Sequence, residues 1–523
     1  MGEIPPLHNF KEDAVFSRFS RSLNGGLATA AIAVAALTGC TTSGSSNDNQ
    51  ESLDLGSFID VASLDPAQSD VGHYMPFLQP AYDTLIRLDD QGELVPMLAT
   101  SWDFVDEART IMELKLRDNV KFSDGTPLTA DAVVSSLERF KASNGPRSTA
   151  LASVDTATAV DDTTVQLHLR APDPALAHNL ALVAGMITNP AAADTDLASV
   201  PAGTGPYVLD TNATRRGDVY VFTRNENYYD TEAFPFDSIS IRVLTDPTAR
   251  LNAVKTEQVD AVYGAPSQLS EAQASGLTIV STPGDWQGLF LIDRDGVTTT
   301  ALGDVRVRQA INYAIDGDAI LQSVAFDQGT PTTQVFYPGT PAFDPKLDDK
   351  YPYDPDKAKE LLTEAGYANG FTLRMPSSDA FLPEVYPIIQ QQLADVGITV
   401  EYDPQTPAAG LAPYLSGQYS SFFFSWGASQ NWLDASLLLS ESGAWNPYHV
   451  ADPQIADLMS KIAAATGGEQ DALYKELSAY VVDQAWFNPF YVVSNLMFVG
   501  PDVTVTPQPQ QIVPSIYNYR PAE

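Results

Sequence analysis

Residues 110–140 contain the most constraining pattern in this sequence, a strand, a tight turn and a helix in close succession. The segment TIMELKL (110–116) alternates apolar and polar side chains, which is typical of a half-buried strand. A turn at Ser123-Asp124-Gly125 follows, and Thr129 is a candidate N-cap for the next helix. The apolar residues of that helix fall at helical spacing: Val133, Val134, Leu137 and Phe140. Units of this kind predict a mixed α/β protein.

Further segments continue the α/β pattern. Residues 164–169 predict a strand, and residues 304–326 predict two helices divided at Asp316-Gly317. Asp354 and Pro355 open another helix that Gly366 ends, and the strands FTLRM and ITVEY flank a helix around 383–396. The apolar runs 286–292 and 489–498 predict two more strands. Since single hydrophobic cores stop growing at about 250–300 residues, a chain of 523 residues is expected to form two or more lobes.

Charge limits the possible partners of the chain. The formal net charge is −37 at pH 7, and phosphate backbones would be repelled by such a protein. Nucleic acid is therefore excluded as a partner. The hydrophobic content of 44% is that of a globular protein.

The first forty residues predict a secretory signal. Lys11, Arg18 and Arg21 precede the short apolar run LATAAIAVAALTGC (27–40), which is too short to span a membrane. Cys40, the only cysteine, ends the run and is followed by a polar stretch. The residues Leu37–Cys40 resemble the bacterial lipobox, which implies lipidation of Cys40 and anchoring to the outer face of the cell membrane.

Five segments in their order resemble the family 5 extracellular solute-binding proteins of ABC importers, which include peptide and nickel receptors. They are LATSWDF (98–104), LRDNVKFSDGTPLTADAVVSSLERF (116–140), GTGPYVL (203–209), DVRVRQAINYAID (304–316) and YDPDKAKELLTEAGY (353–367). The resemblance implies a two-lobed α/β clamp of the periplasmic-binding-protein type II, with the ligand cleft between the lobes. It also implies a monomer that uses no cofactor and delivers its solute to permease subunits.

The same resemblance gives a division of the chain. Residues 1–39 are expected to be the signal peptide and 40–52 a lipid-anchored tether. Lobe I is expected in three parts, 53–90, 200–284 and 490–523, with an inserted subdomain at 91–199. Lobe II is expected at 285–489, so the interlobe crossings fall at 284–290 and 488–494.

The stretch SWGASQNWLDASLLLS (425–440) bears on the ligand. In peptide-binding relatives the corresponding region reads W-x-A-D, and its aspartate holds the α-ammonium group of the peptide. Ser429 stands at that position here, and a buried ammonium group needs a negative partner. Asp434 could supply the charge if two extra residues bring it into the cleft. Otherwise the ligand amine, if there is one, is bound elsewhere, which leaves ordinary peptides open to question.

The candidate ligand-binding residues combine aromatic, polar and titratable side chains. They are Trp426, Ser429, Trp432, Asp434, Trp286, Gln287, His73, Tyr74, Trp445 and Asn446. The tryptophans could wall the cleft by stacking on a ring, an apolar group or a cation, and the alternative for each is ordinary core packing. A lone histidine such as His73 is more often a satisfied structural residue than a ligand contact.

Enzymatic and metal-binding functions have weaker support. The sequence contains no GxSxG, HExxH, P-loop or GxGxxG motif, so a secreted hydrolase is the least favoured interpretation. The five histidines are dispersed and no cysteine cluster is present. A nickel or metal-chelate receptor stays open as the alternative to a peptide or peptide-like ligand, because one or two histidines and a small chelator could suffice.

Overall fold

The computed structural model describes residues 52–522, apart from 194, 380, 407–408, 428 and 510. The predicted signal segment and Cys40 lie outside the described residues. None of the described helices combines the length and the apolar character needed to span a bilayer.

Strands account for much of the described chain. They are β1 (Ser52–Ser57), β2 (Ile86–Leu88), β3 (Leu94–Pro96), β4 (Ala99–Phe104), β5 (Ile111–Leu116), β6 (Val154–Asp161), β7 (Thr164–Leu169), β8 (Tyr207–Leu209), β9 (Val219–Arg224), β10 (Ser238–Val243), β11 (Ala261–Gly264), β12 (Thr278–Leu291), β13 (Gly329–Pro331), β14 (Phe371–Ser378), β15 (Ile398–Gln405), β16 (Ser421–Trp426), β17 (Phe487–Val499), β18 (Val503–Val505) and β19 (Tyr519–Pro521).

The helices are α1 (Met75–Leu78), α2 (Ala130–Ala142), α3 (Leu176–Asn179), α4 (Pro247–Lys255), α5 (Leu269–Ala274), α6 (Val305–Ala314), α7 (Gly317–Ala325), α8 (Pro355–Glu364), α9 (Val385–Asp395), α10 (Ala412–Leu415), α11 (Asn431–Leu438), α12 (Pro453–Ala464) and α13 (Gly467–Gln484).

Side-chain caps fix the beginnings of several helices. Thr129 Oγ1 accepts a hydrogen bond from the backbone N–H of Ala132 (3.2 Å) at the start of α2. Asp316 and Asp354 cap α7 and α8 in the same way, each through a backbone N–H three residues later (2.9 Å in both cases). These contacts satisfy donors that a helix leaves unpaired in its first turn. The predictions for residues 110–140, 304–326 and 353–367 are confirmed.

One large sheet runs through the molecule. Its strand order is β16-β12-β17-β11-β1-β10-β9-β8, and β13 also pairs with β17. β1 is parallel to β10 and β11, whereas β12, β16 and β17 pair antiparallel. The predicted βαβ unit is confirmed, since β14 and β15 pair in parallel on either side of α9 in sequence. The predicted inserted segment contains a separate sheet of order β4-β5-β7-β6.

The hydrophobic cores define two lobes. The main core of lobe I draws on buried residues from Leu53 to Ile241 and from Met497 to Tyr519. Lobe II has two cores on opposite faces of β12: Leu289 and Leu291 belong to one, and Trp286 and Phe290 to the other. This alternation is what a strand covered on both faces produces. The two-lobed α/β fold is confirmed, and the exact lobe boundaries stay a prediction.

The long strands β12 and β17 connect the two lobes. Residues 278–283 of β12 pair with 494–499 of β17, and the register shifts before pairing resumes at Trp286 and Val492. The shift leaves Gly284 and Asp285 outside the regular ladder. β16 begins to pair with β12 at this point, with Trp426 opposite Trp286. The predicted strands at 286–292 and 489–498 are confirmed, although β12 starts eight residues earlier than its apolar run.

Candidate functional site

The end of β16 brings three of the candidate residues together. The strand ends at Trp426, and α11 begins at Asn431 with Gln430 as its N-cap. Asp434 therefore lies in the first turn of α11, facing back toward the strand. The indole Nε1–H of Trp426 donates to Asp434 Oδ1 (2.8 Å), and Ser429 Oγ donates to the same oxygen (2.6 Å).

The carboxyl group of Asp434 is enclosed. Its side chain has no exposed surface (0%), and Oδ2 has no hydrogen-bond partner. Burial raises the pKa of Asp434 to about 7, although the hydrogen bonds from Ser429 and Trp426 lower it in part. Ser429, at the position of the family's aspartate, thus contacts the carboxylate that follows it. Contact of Asp434 itself with a solute stays a prediction.

Aromatic side chains surround this carboxyl group. Trp286 stacks on Phe290 with ring centroids 4.8 Å apart, and Trp445 meets Trp426 edge to face at 5.1 Å. The hydroxyl of Tyr337 donates to the backbone oxygen of Trp426 and accepts from the backbone N–H of Trp286 (3.2 Å). Tyr337 therefore holds the two paired strands together at the interlobe end.

The tryptophans differ in exposure. Trp286 is fully buried (0%), Trp426 and Trp445 are 8% exposed, and Trp432 on α11 is only partly buried. Trp432 is therefore the most accessible of the four. All four belong to or pack against one core of lobe II. Their role as walls of the cleft stays a prediction.

Gln287 and Asn446 have their polar groups fixed by neighbours. Tyr491 on β17 donates its hydroxyl to Gln287 Oε1 (2.8 Å). The side-chain amide of Asn446 donates to the backbone oxygens of Ser440 and Val450 (2.9 Å each). The amide of Asn446 is thus used to fix its own loop. The amide N–H groups of Gln287 donate to no loop oxygen among the described residues.

His73 and Tyr74 lie in lobe I. The ring of His73 meets Phe58 at 4.6 Å and Tyr263 at 4.7 Å, both edge to face. Burial lowers the pKa of His73 to about 4, so the imidazole is neutral at pH 7, and its Nδ1 has no partner. Tyr74 is partly buried against the lobe I core. Among the described residues, no hydrogen bond or ring contact joins His73 to the tryptophans of lobe II.

Asp285 is a site residue that the sequence analysis missed. It precedes Trp286 at the register shift of β12, and Ser425 Oγ donates to its Oδ2 (3.0 Å). The side chain is partly exposed, and burial raises its pKa. The available signal was an aspartate within the predicted interlobe crossing 284–290, directly before Trp286.

The arrangement supplies acceptors, aromatic faces and one amide donor. No group of three or more His, Cys, Asp or Glu side chains suited to a metal ion occurs in the part of the chain that the structure describes. Groups of these types can bind a small solute through charge, hydrogen bonds and stacking.

Comparisons with known proteins agree with this architecture. The sequence profile of the bacterial extracellular solute-binding proteins, family 5 (middle), matches residues 93–447. The glutathione-binding protein GsiB of Pectobacterium atrosepticum is 29% identical over 484 residues, which cover 85% of this chain and 92% of that protein.

Solved structures share the fold. HbpA2 from Haemophilus parasuis superimposes with a TM-score of 0.80 at 22% identity, over 90% of this chain and 100% of the other. DppA from Helicobacter pylori in complex with the peptide STSA gives a TM-score of 0.73 at 22% identity, over 90% and 98%. The chain therefore belongs to the bacterial extracellular solute-binding proteins of family 5, the solute-binding components of ABC importers.

Proposed function

We propose that this protein captures a small peptide-type solute between its lobes and delivers it, chemically unchanged, to an ABC importer permease. The observation that carries the proposal is the position of Asp285 and Gln287. Both lie on β12 at the point where its pairing passes from one lobe to the other. Groups at such a junction meet a solute when the lobes close.

The strand pair explains how closure can be reversible. β12 and β17 remain hydrogen-bonded on both sides of the register shift, so neither lobe has to unfold when the other moves. A change of backbone angles at Gly284 and Asp285 would suffice to rotate the lobes. Closure excludes water, which strengthens each polar contact with the solute.

The relatives support the peptide-type ligand. GsiB is named a glutathione-binding protein, and glutathione is a small tripeptide-like compound with a free amine and two carboxylates. The site in this chain offers a partly exposed carboxyl group at Asp285, directly before Trp286 in the cluster of tryptophans. We favour a peptide-type solute over a metal chelate because the similar protein GsiB is named for a tripeptide-like ligand and because Asp285 can accept from an amine.

Cys40 is proposed to tether a monomeric receptor to the outer face of the membrane. The proposal rests on the lipobox-like residues Leu37–Cys40. A Cys40→Ala variant is expected to leave the membrane fraction and appear in the soluble extracytoplasmic fraction, measured by immunoblot. Equal membrane retention of both forms would contradict lipid anchoring through this residue.

Ligand-induced stabilisation tests the proposed function. Purified residues 41–523 would be heated with reduced glutathione, di- and tripeptides, or glucose as the control. A cognate peptide at about 100 times its dissociation constant is expected to stabilise the fold by about 2.7 kcal/mol. Mass spectrometry of the recovered peptide should find it intact. Stabilisation by none of the peptides, or their cleavage, would contradict the proposal.

A further inference from the structure

Asp285 occupies an irregular point of the backbone between two regular ladders. On one side, β12 pairs with β17 as far as Pro283 and Ser494. On the other side, pairing with both neighbouring strands begins at Trp286. Asp285 is therefore one residue beyond the end of β16, where no neighbouring strand covers it from that side.

The carboxylate of Asp285 has a donor but no cation. Ser425 Oγ donates to Oδ2 (3.0 Å), and none of the ion pairs among the described residues includes Asp285. Burial raises the pKa of Tyr337, and the negative charges of Asp285 and Asp434 raise it further. The surroundings of Asp285 are therefore acidic rather than basic. A partly buried carboxylate without a positive partner is costly, and a cationic group arriving from solution would remove that cost.

The second oxygen of Asp285, Oδ1, accepts no hydrogen bond from the described residues, since Ser425 donates to Oδ2. A Cβ atom at Gly427 would lie 3.5 Å from Asp285 Oδ1, in van der Waals contact with it. Glycine at this position therefore leaves space beside the oxygen that a larger side chain would fill. An ammonium group has three N–H donors, and one of them can use an oxygen that is not already hydrogen-bonded.

Gln287 provides a complementary donor two residues along the same strand. Ser425 pairs with Gln287 across the two strands and donates its hydroxyl to Asp285, so the side chains of Gln287 and Asp285 lie on the same side of the sheet. The hydroxyl of Tyr491 occupies Gln287 Oε1 (2.8 Å), which orients the amide so that its NH₂ points away from Tyr491. An acceptor and a donor side by side match a head group that carries an amine next to a carbonyl or carboxylate.

Asp434 is less suited to the same task. Its Oδ1 already accepts two hydrogen bonds, and its side chain has no exposed surface (0%). Ser429 cannot neutralise a cation. Neither of the two positions suggested by the family pattern, Ser429 and Asp434, therefore supplies the negative charge for a solute ammonium group. Another residue has to supply it.

We propose that Asp285 binds the ammonium group of the solute and that the amide of Gln287 donates to the adjacent oxygen of that solute. This inference rests on the proposed function and names the solute class for the same cleft, an amine-bearing peptide-type compound. Selectivity then comes from a residue on the interlobe strand instead of the turn after β16.

Isothermal titration with paired probes tests the assignment. The probes are reduced glutathione and trialanine, each with a free amine and in the N-acetylated form. The wild-type protein is expected to bind at least one free-amine probe and to bind its acetylated form much more weakly. Asp285→Asn, which keeps the acceptor for Ser425, is expected to weaken the free-amine probe by roughly 30-fold or more.

A matched control separates charge at the cleft from charge elsewhere in lobe II. Asp452 is also half-buried and accepts one hydroxyl, from Tyr480 (2.9 Å), and asparagine caps helices as well as aspartate does. Asp452→Asn is expected to bind like the wild type. Circular dichroism and the melting temperature of each variant verify folding. If Asp285→Asn is unfolded, Ser425→Ala, which keeps the charge, provides a second test. Ser425→Ala is expected to weaken the affinity for the same probe by a few-fold.

The outcomes distinguish the inference from the proposed function. Wild-type binding of a free-amine probe with equal affinity in Asp285→Asn would overturn the inference and leave the proposed function standing. Equal or tighter binding of the acetylated form would overturn it as well, and so would unchanged affinity in Ser425→Ala when that variant has to be used. Binding of none of the four probes by the wild-type protein would overturn the peptide-type solute itself, and the inference with it.

Discussion

Asp83 in lobe I and Asp434 in lobe II are both aspartates with no exposed surface (0%), and each has one oxygen, Oδ2, without a hydrogen-bond partner. Burial raises the pKa of each to about 7. Their surroundings differ. Asp83 accepts from the hydroxyls of Tyr517 (3.0 Å) and Tyr228 (3.4 Å), which lie 434 and 145 residues away in sequence.

The partners of Asp434 are close in sequence, at Trp426 and Ser429, eight and five residues away. The bonds of Asp83 therefore join distant segments, including the C-terminal one, into lobe I. Those of Asp434 fix a single turn between β16 and α11. Two aspartates with equal burial and similar pKa values thus join distant segments in one place and fix a local turn in the other.

The largest expected effect is on the pH dependence of stability. Each carboxyl group keeps its proton in the folded state up to about pH 7, whereas the unfolded chain releases it near pH 4. The contribution of each group to the free energy of unfolding is therefore largest below pH 4. It falls by roughly 4 kcal/mol per group as the pH rises to about 7. Asp83→Asn and Asp434→Asn should each remove that share of the loss, measured by urea unfolding between pH 4 and 8.

Optical probes separate the two lobes in that experiment. Lobe II contains five of the six tryptophans, namely Trp286, Trp426, Trp432, Trp445 and Trp486. Asp434→Asn should change the transition seen by tryptophan fluorescence, and Asp83→Asn should change mainly that seen by circular dichroism. Asp452→Asn is the control for a half-buried position. A variant that keeps the full wild-type pH dependence would show that its carboxyl group is not the source.

Removal of one hydroxyl donor from each carboxylate gives a smaller effect. Tyr517→Phe leaves Asp83 with the longer bond from Tyr228, at 3.4 Å, and with the hydroxyl of Tyr229. Ser429→Ala leaves Asp434 with the indole bond of 2.8 Å from Trp426. Because hydrogen bonds to charged groups contribute about 1.5–3 kcal/mol, Tyr517→Phe is expected to cost about 3 kcal/mol at pH 8 and Ser429→Ala about 1.5 kcal/mol.

Both losses should shrink at pH 5, where the carboxyl groups are protonated in the folded protein. Urea unfolding of the two variants at pH 5 and pH 8 measures this difference. An equal loss for Ser429→Ala and Tyr517→Phe would mean that the local and the long-range carboxylate depend equally on their hydroxyl donors.

The sequence predicted the fold where local signals determine it. The caps at Thr129, Asp316 and Asp354 each act on the residue three positions later, so the beginnings of three helices could be located. The order of the family segments then gave the two-lobed arrangement. Contacts such as Asp83 with Tyr517 could not be predicted, because nothing local links two residues 434 positions apart.

The candidate site was predicted in part for the same reason. Trp426, Ser429 and Asp434 lie within one short stretch, and the structure brings them into contact. Asp285 was missed because Pro283 and Gly284 beside it predict the end of a strand. The structure instead places these residues at a register shift inside β12, where such residues interrupt a ladder without ending it.

The smallest expected effect separates the two buried carboxylates by function. Asp434 fixes the indole of Trp426 and the hydroxyl of Ser429 at the end of β16, and asparagine at 434 keeps the accepting oxygen but not the charge. Asp434→Asn is therefore expected to raise the dissociation constant for the best free-amine probe about three-fold, less than 1 kcal/mol. Asp83→Asn, in the interior of lobe I, should leave it unchanged in the same titration. A loss in Asp434→Asn as large as that expected for Asp285→Asn would make Asp434 a direct partner of the solute amine. A loss in Asp83→Asn would mean that the segments joined in lobe I also set the geometry of the cleft.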